Sequence, residues 1–288
     1  MESDTMAAAF ARLLLATEHT EFDAGAERLA FALAARASEP LDVVLPLVSN
    51  PEYESEAPGL AARAEAEAAD RLRGLAGAAR AAGVTLATRV RRGPEPHREI
   101  VDEARRIEAD LVVIRRRGRR GLFAQLLIGD MVRNVVTHSP CSVLVAPREA
   151  RPWTHRILVA LDPQSSDMTA VSAAASVAAD GSLPLAVLCV AESDSAAQAA
   201  AEQALHRAQT TAAAFGVATE TLCRAGRPHA QIVATARELG ADLLVIGRRG
   251  DEGLAHAWLG GVAQKVIGLF DGPVLVAAST PSTPPHRP

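Results

Sequence analysis

The sequence predicts an α/β fold with two tandem open five-stranded parallel sheets, each flanked by helices in a doubly wound arrangement. Three observations predict this fold. Strand-like and helix-like segments alternate along the chain, the strand-like segments are apolar throughout, and the whole pattern occurs twice. Continuously apolar strands are typical of parallel sheets covered on both faces, and the alternation predicts crossover connections through helices.

The duplication is visible in a stretch that aligns without a gap. "PHREIVDEARRIEADLVVIRRRG" (Pro96–Gly118) shares its proline, histidine, Ile-Val, Ala-Asp-Leu and Arg-Arg-Gly positions with "PHAQIVATARELGADLLVIGRRG" (Pro228–Gly250). The first strands, "RLLLATE" and "RILVALD", and the last strands, "SVLVAP" and "PVLVAA", also correspond. The chain is therefore a tandem duplication.

The repeat sets the domain boundaries. We expect a first domain over residues 1–148, a second over 153–279 and a disordered Ser-Pro-rich tail over 280–288. The joint lies near Pro147–Trp153, between two prolines. A chain of 288 residues is long enough for two hydrophobic cores.

The second half predicts its elements in order. Short runs rich in leucine and β-branched residues predict strands, longer alanine-rich runs predict helices, and Pro228 suits the first turn of a helix. The predicted strands are Arg156–Leu161, Pro184–Val190, Val217–Cys223, Asp242–Gly247 and Pro273–Ala278. The predicted helices are about Ser166–Ala179, Ser195–Phe215, Pro228–Leu239 and Val262–Phe270. The first half repeats this order, with a longer second helix and an extra loop at Ser49–Leu60.

Composition excludes several classes of function. The net charge of −4 gives no overall attraction to nucleic acid or to an anionic membrane. No apolar stretch approaches the ~20 residues of a membrane span, and the N-terminus is a poor signal peptide, so we expect a cytoplasmic protein. Cys141, Cys189 and Cys223 are too few and too scattered for a disulfide framework or a metal site, and we expect buried, inert thiols.

A ligand of such a fold lies beyond the carboxyl ends of the strands, where the strand order reverses. In the second half these loops are "LDPQSSD" (161–167) and "GRRGDEGLAHAWLGGVAQKV" (247–266). The second loop leaves a strand, passes several glycines and opens a helix. Glycine allows main-chain N–H groups to approach phosphate oxygens, and a helix N-terminus adds unpaired N–H groups and partial positive charge.

The second loop resembles the nucleotide motif of the universal stress protein family, which is Gly-x-x-Gly, nine residues, then Gly-Ser or Gly-Thr. Gly247, Gly250 and Gly260 fall on the three glycine positions, and Gly261 replaces the hydroxyl residue. In ATP-binding members the aspartate after the first strand meets the adenosine moiety, and Asp162 matches it. The resemblance covers both halves of the chain.

The resemblance implies that the second domain binds ATP or another adenine nucleotide, with Mg²⁺ only if ATP binds. The implied nucleotide-binding residues are Asp162, Val190, Gly247, Arg248, Gly250, Gly260, Gly261 and Val262. A missing hydroxyl at Gly261 removes one hydrogen bond to a phosphate, which is worth about 1.5–3 kcal/mol, or roughly a tenfold to hundredfold loss of affinity. The alternative is that the glycines serve only a tight turn and close packing of helix on sheet.

The first half departs further from the motif. Glu18 replaces the aspartate, and Arg115 stands at the first glycine position, where its side chain would crowd a phosphate. Ten residues instead of nine separate Gly118 from Gly129. Asp130 replaces the hydroxyl residue and would repel phosphate, although it would suit a helix N-cap. We therefore expect a degenerate site in the first domain.

The arginines that follow Arg115 have three interpretations. Arg116, Arg117, Arg119 and Arg120 could form an anion-binding loop. They could form a nucleic-acid patch, although Phe123 is the only aromatic residue nearby and nucleic acid is an unlikely partner for an acidic chain. They could instead be solvated or paired with carboxylates of a partner domain.

Histidines give no catalytic pattern. His97 and His229 occupy matching positions at the start of corresponding helices, where we expect a helix-start hydrogen bond in preference to a proton donor or a ligand contact. We expect His138 in a loop. No Ser-His-Asp, Cys-His or metal-binding spacing is visible. We therefore expect no catalytic residue and no metal ligand.

The family resemblance implies a stress-response sensor or scaffold. Members pair through their last strands, so the two domains are expected to form an internal pseudo-dimer, and whole chains to form a homodimer. One alternative is an interaction protein of the same fold that binds no nucleotide. Another is a weak ATP hydrolase. The Ser-Gly-Gly-x-Asp-Ser and His-x-Gly-His motifs of related nucleotide-dependent enzymes are absent.

Overall fold

The computed structural model describes residues 9–37, 39–49, 54, 58–116, 129–192, 194–248 and 259–278. In the first half the strands are β1 Leu13–Ala16, β2 Leu41–Val48, β3 Leu86–Gly93, β4 Leu111–Arg115 and β5 Ser142–Ala146. The helices there are α1 Ala24–Ala34, α2 Pro58–Ala81, α3 Pro96–Arg106 and α4 Asp130–His138. The predicted tail at 280–288 lies outside the described residues.

The second half repeats the order. Its strands are β6 Ile157–Leu161, β7 Leu185–Ala191, β8 Thr219–Ala225, β9 Leu243–Gly247 and β10 Val274–Ala277. Its helices are α5 Thr169–Gly181, α6 Ser195–Ala213, α7 Pro228–Glu238 and α8 Gly261–Leu269. The α/β class and the alternation of strand and helix in both halves are thus confirmed.

The two sets of five strands form one sheet of ten, in the order β3-β2-β1-β4-β5-β10-β9-β6-β7-β8. Pairing is parallel within each half, and the strand order reverses between β1 and β4 and between β6 and β9. The halves meet where β5 and β10 pair antiparallel, with Leu144 opposite Leu275. Each last strand therefore covers the edge that the other would expose.

Two apolar layers hold the helices against the sheet, and both extend through the two halves. Leu13 and Leu15 of β1 face the layer that contains α1, α2, α5 and α6. Leu14 faces the opposite layer, which contains α3, α4, α7 and α8. Because alternate residues of a strand point to opposite faces, a strand covered on both faces must be apolar throughout, as these strands are.

Aspartates of the repeated Ala-Asp-Leu sequence fix the start of each first strand. The Asp110 carboxylate accepts the main-chain N–H groups of Ala11 and Arg12 at 2.7 and 3.1 Å. The Asp242 carboxylate accepts those of Thr154, His155 and Arg156 at 2.6–3.1 Å. This shared motif therefore has a structural role in the sheet.

Some predicted boundaries were wrong by a few residues. Helix α5 begins at Thr169, because the side chains of Ser165 and Asp167 accept nearby main-chain N–H groups and hold a turn before it. Strand β8 begins at Thr219, because Val217 ends helix α6 by donating to the Ala212 carbonyl. The loop predicted up to residue 60 ends earlier, since α2 begins at Pro58.

Among the described residues, no helix combines the length and apolar composition that crossing a membrane requires.

Candidate functional site

The candidate site of the second domain lies at the carboxyl ends of β6 and β9. These strands are neighbours, with Ala160 paired to Ile246, so the loops that follow them meet at one edge of the sheet. Asp162 follows β6, and its carboxylate accepts the main-chain N–H of Gln164 at 3.0 Å. The Asp162 carbonyl accepts the N–H of Ser165 at 3.0 Å. The loop is therefore a tight turn held by the aspartate.

The glycines of this site are not required by packing. A Cβ at Gly247 would lie 3.9 Å from the Ala170 Cβ, an ordinary contact. A Cβ at Gly260 or Gly261 would meet no described atom within 4 Å. By contrast, a Cβ at Gly25 would collide with the Pro147 carbonyl oxygen.

The backbone does not require glycine at these positions either. Gly247, Gly260 and Gly261 are not among the described residues with positive φ, and Gly260 has φ −60° and ψ 152°. The alternative of close packing therefore finds no support at these three positions. Gly250 lies outside the described residues.

Helix α8 presents an open N-terminus. Gly260 is its N-cap and provides no side-chain cap, and the first turn carries no acidic residue. The earliest main-chain hydrogen bond of the helix runs from the Gln264 N–H to the Gly260 carbonyl at 3.1 Å. The preceding N–H groups of the first turn lack such partners in any α-helix and favour an anion. Val262 is 41% exposed in this turn.

Val190 and Arg248 have different surroundings. Val190 is buried near the end of β7, at the same edge of the sheet. The Arg248 guanidinium instead crosses to the first domain, where it donates to the carbonyls of Val136 and Ser139 at 3.2 and 2.6 Å. Its main-chain N–H donates to the Ala277 carbonyl at 3.0 Å. Arg248 is therefore engaged in the interface and is a poor candidate for a nucleotide contact.

Arg116 makes the reciprocal contact. Its guanidinium donates to the Ile267 carbonyl at 3.1 Å and to the Phe270 carbonyl, at the C-terminus of α8. Burial lowers the pKa values of both Arg116 and Arg248 from their ordinary range. Each domain thus caps the last helix of the other with a cation.

Arg116 pairs with the other domain, but the expectation of carboxylate partners was wrong for this arginine, because it donates to main-chain carbonyls. Arg117, Gly118, Arg119, Arg120 and Phe123 lie outside the described residues.

In the first domain a buried ion cluster fills the matching position. The Arg115 side chain is only 6% exposed. It donates to Glu18 at 3.0 Å, to Asp23 at 2.9 Å and to the Thr20 hydroxyl at 2.9 Å. Asp23 is itself 1% exposed. Two of the predicted departures from the motif, Glu18 and Arg115, therefore pair with each other.

The start of helix α4 needs one correction. Gly129 is its N-cap, with φ −64° and ψ 150°, and Asp130 is the first helical residue. The prediction of Asp130 as the N-cap was therefore wrong by one position. The Asp130 carboxylate is 84% exposed and pairs with Arg133 at 3.0 Å. It places negative charge in the helical turn that is uncharged in α8.

A second polar cluster of the first domain was missed by the sequence analysis. The Glu27 carboxylate accepts the Thr17 hydroxyl at 2.8 Å and lies 2.9 Å from His19 Nδ1. His19 has φ 51°, and its N–H donates to the Thr17 hydroxyl oxygen. Hydroxyl and imidazole both engage the same carboxylate oxygen, so the imidazole is not placed to deprotonate the hydroxyl.

The other histidines differ in part from expectation. His138 is the last residue of α4, not a loop residue, and its Nδ1 lies 2.8 Å from the Asn134 carbonyl. Its ring centroid lies 6.0 Å from that of His97. Partial burial lowers the pKa values of both His97 and His229.

Two of the three thiols are buried as expected. Burial raises the pKa of Cys141 to about 11 and that of Cys189 to about 12. The expectation was wrong for Cys223, which is exposed because β8 is an edge strand with one face open. Within the described ranges, no group of three or more His, Cys, Asp or Glu side chains is arranged to hold a metal ion.

Comparison with known proteins identifies one family twice along the chain. The model of the universal stress protein family matches residues 9–147 and 154–278. Universal stress protein YxiE of Bacillus subtilis is 42% identical over 72 residues, which are 25% of this chain and 49% of that protein. A universal stress protein of Synechocystis sp. is 25% identical over 166 residues, 58% of this chain and 57% of that protein.

The chain spans about half the length of these curated relatives that it matches. A solved structure also matches nearly the whole chain. The universal stress protein from Archaeoglobus fulgidus superposes with a TM-score of 0.69 at 20% identity, over 95% of this chain and 98% of that chain. At this identity the structural match supports the fold alone.

Proposed function

Because the chain belongs to the universal stress protein family, we propose that its second domain binds an adenine nucleotide and that the protein acts as a stress-response sensor or scaffold. The first domain contributes the other half of the sheet and binds no nucleotide. Mg²⁺ takes part only if the nucleotide is ATP.

One observation carries the proposal. Gly247, Gly260 and Gly261 border the strand-end edge, and neither packing nor backbone conformation among the described residues requires glycine there. The glycines leave space for a ligand to approach the main chain. The uncharged first turn of α8 offers N–H groups to a phosphate at the same place.

The first domain supports the proposal by contrast. Its matching edge holds Arg115 bonded to Glu18 and Asp23, and the first turn of α4 carries Asp130. A phosphate there would meet a cation already neutralised and a carboxylate that repels it. One nucleotide per chain is therefore expected.

The first experiment identifies the ligand. Small molecules released from the purified, denatured protein are identified by mass spectrometry, and the emptied protein is titrated with ATP by calorimetry, with and without Mg²⁺. We expect an adenine nucleotide and a stoichiometry of one. No released nucleotide and no heat at millimolar ATP would favour the interaction protein without a ligand, and measured phosphate release separates binding from weak hydrolysis.

A matched pair of variants then locates the site. Gly261→Asp copies the first domain into the second, and Asp130→Gly makes the opposite change in the first. Aspartate suits the first turn of a helix, so Gly261→Asp keeps the fold while repelling phosphate. We expect it to weaken ATP binding by about tenfold or more, whereas Asp130→Gly leaves affinity unchanged. The reverse result would assign the site to the first domain.

A further inference from the structure

Arg207 of helix α6 extends toward the loop that follows β6. Its Nη2 donates to the Ser165 carbonyl at 3.2 Å. Its Nε is buried and has no hydrogen-bond partner within the described part of the chain. A buried N–H of a charged group is costly to leave unpaired, and Arg207 lies between the buried Ala204 and Ala208 of α6.

Arg207 and Asp162 lie at the same end of the sheet. Ser165, which Arg207 contacts, lies in the turn held by Asp162. The guanidinium therefore borders the candidate nucleotide site on the side of its aspartate.

The first domain has no counterpart of this arginine. Gly83 and Gly216 lie in the turns that follow the corresponding helices, with similar φ values of 73° and 71°. Counting back from them aligns Gly74 with Arg207. A Cβ at Gly74 would lie 3.0 Å from His19 Nε2. In the first domain the imidazole of His19 thus occupies the space between this helix and the loop after the first strand. In the second domain the guanidinium of Arg207 reaches that loop from the helix.

We propose that Arg207 is a further ligand-binding residue of the second domain and that it selects adenine nucleotides that carry a second phosphate, on a ring hydroxyl of the ribose. The inference rests on the proposed nucleotide function. In dinucleotide-binding folds an acidic residue at a strand end holds a ribose hydroxyl, or alternatively an arginine nearby accommodates a phosphate on that hydroxyl. A guanidinium fork matches phosphate geometry, and the buried Nε supplies a donor that the described residues leave unpaired.

The test compares two ligands on the full chain. AMP and adenosine 3′,5′-bisphosphate are titrated by calorimetry into the wild type, Arg207→Met, Arg207→Lys and the control Arg73→Met, an exposed arginine of α2. We expect the bisphosphate to bind the wild type and the control about tenfold tighter than AMP. Arg207→Met removes this preference and leaves AMP affinity within about twofold, and Arg207→Lys restores part of it, because it keeps the charge but loses the fork.

The outcomes separate the two proposals. If AMP binds but the bisphosphate gains nothing in the wild type, the role of Arg207 is overturned and nucleotide binding stands. If Arg207→Met keeps the preference, another residue provides it. If neither nucleotide binds the wild type, the proposed function itself fails. Thermal unfolding of each variant shows that a lost preference does not arise from lost structure.

Discussion

The two domains share one fold but differ at one strand-end position. At the end of β4, Arg115 forms a closed cluster with Glu18, Asp23 and Thr20. At the end of β9, a Cβ at Gly247 would meet only the Ala170 Cβ among the described atoms, at 3.9 Å. The two domains thus keep the same strands, helices and Ala-Asp-Leu anchor, while this position holds an ion cluster in one and a glycine in the other.

Among these variants, removing the Arg115 side chain should have the largest effect on the free energy of unfolding. Arg115→Met leaves the Asp23 carboxylate, only 1% exposed, without its cation. Breaking a buried ion pair from one side costs about 3–5 kcal/mol, and we expect a loss of that size in the free energy of unfolding by urea. Arg115→Met combined with Asp23→Asn should recover part of the loss. A loss below about 1 kcal/mol would mean that the cluster does not stabilise the first domain.

Removing Arg116 or Arg248, which cap the last helix of the opposite domain, should have a smaller effect on stability. The loss should be the same for both arginines. Arg116→Met and Arg248→Met each remove a guanidinium from two carbonyls of the opposite domain. Hydrogen bonds of a charged group contribute about 1.5–3 kcal/mol, so each variant should lose about that much in the same urea experiment. Nucleotide affinity should stay within about twofold in both. A large drop in affinity for Arg248→Met alone would restore Arg248 to the nucleotide site.

Periodicity and the repeat predicted the fold, because strand and helix follow from local patterns that two copies reinforce. The strand-end glycines were also predictable, since the motif is continuous in sequence. The contacts of Arg115 and Arg248 were not predictable, because their partners lie on other elements or in the other domain. The sequence gives one indication of the role of Arg207, which is a charged residue three positions after the buried Ala204 and next to the buried Ala208. Its meaning depends on the loop that it contacts.

Gly247→Ala should have the smallest effect on stability. It tests most directly why the second domain has glycine where the first domain has Arg115. The added Cβ would meet the Ala170 Cβ at 3.9 Å, and glycine is about 0.5–1 kcal/mol worse than alanine within a strand. We therefore expect the free energy of unfolding to stay unchanged or to rise by up to about 1 kcal/mol. ATP affinity should fall, because a methyl group would occupy the approach to the main chain.

The two readouts of Gly247→Ala have opposite implications. A clear loss of stability would mean that the fold requires glycine at the end of β9. The absence of a side chain at this position would then be a consequence of packing. Unchanged stability with weaker binding would mean that the glycine is kept for a ligand. Since Arg115 shows that the fold accepts a large side chain at this strand end, the second result is the one that the first domain predicts.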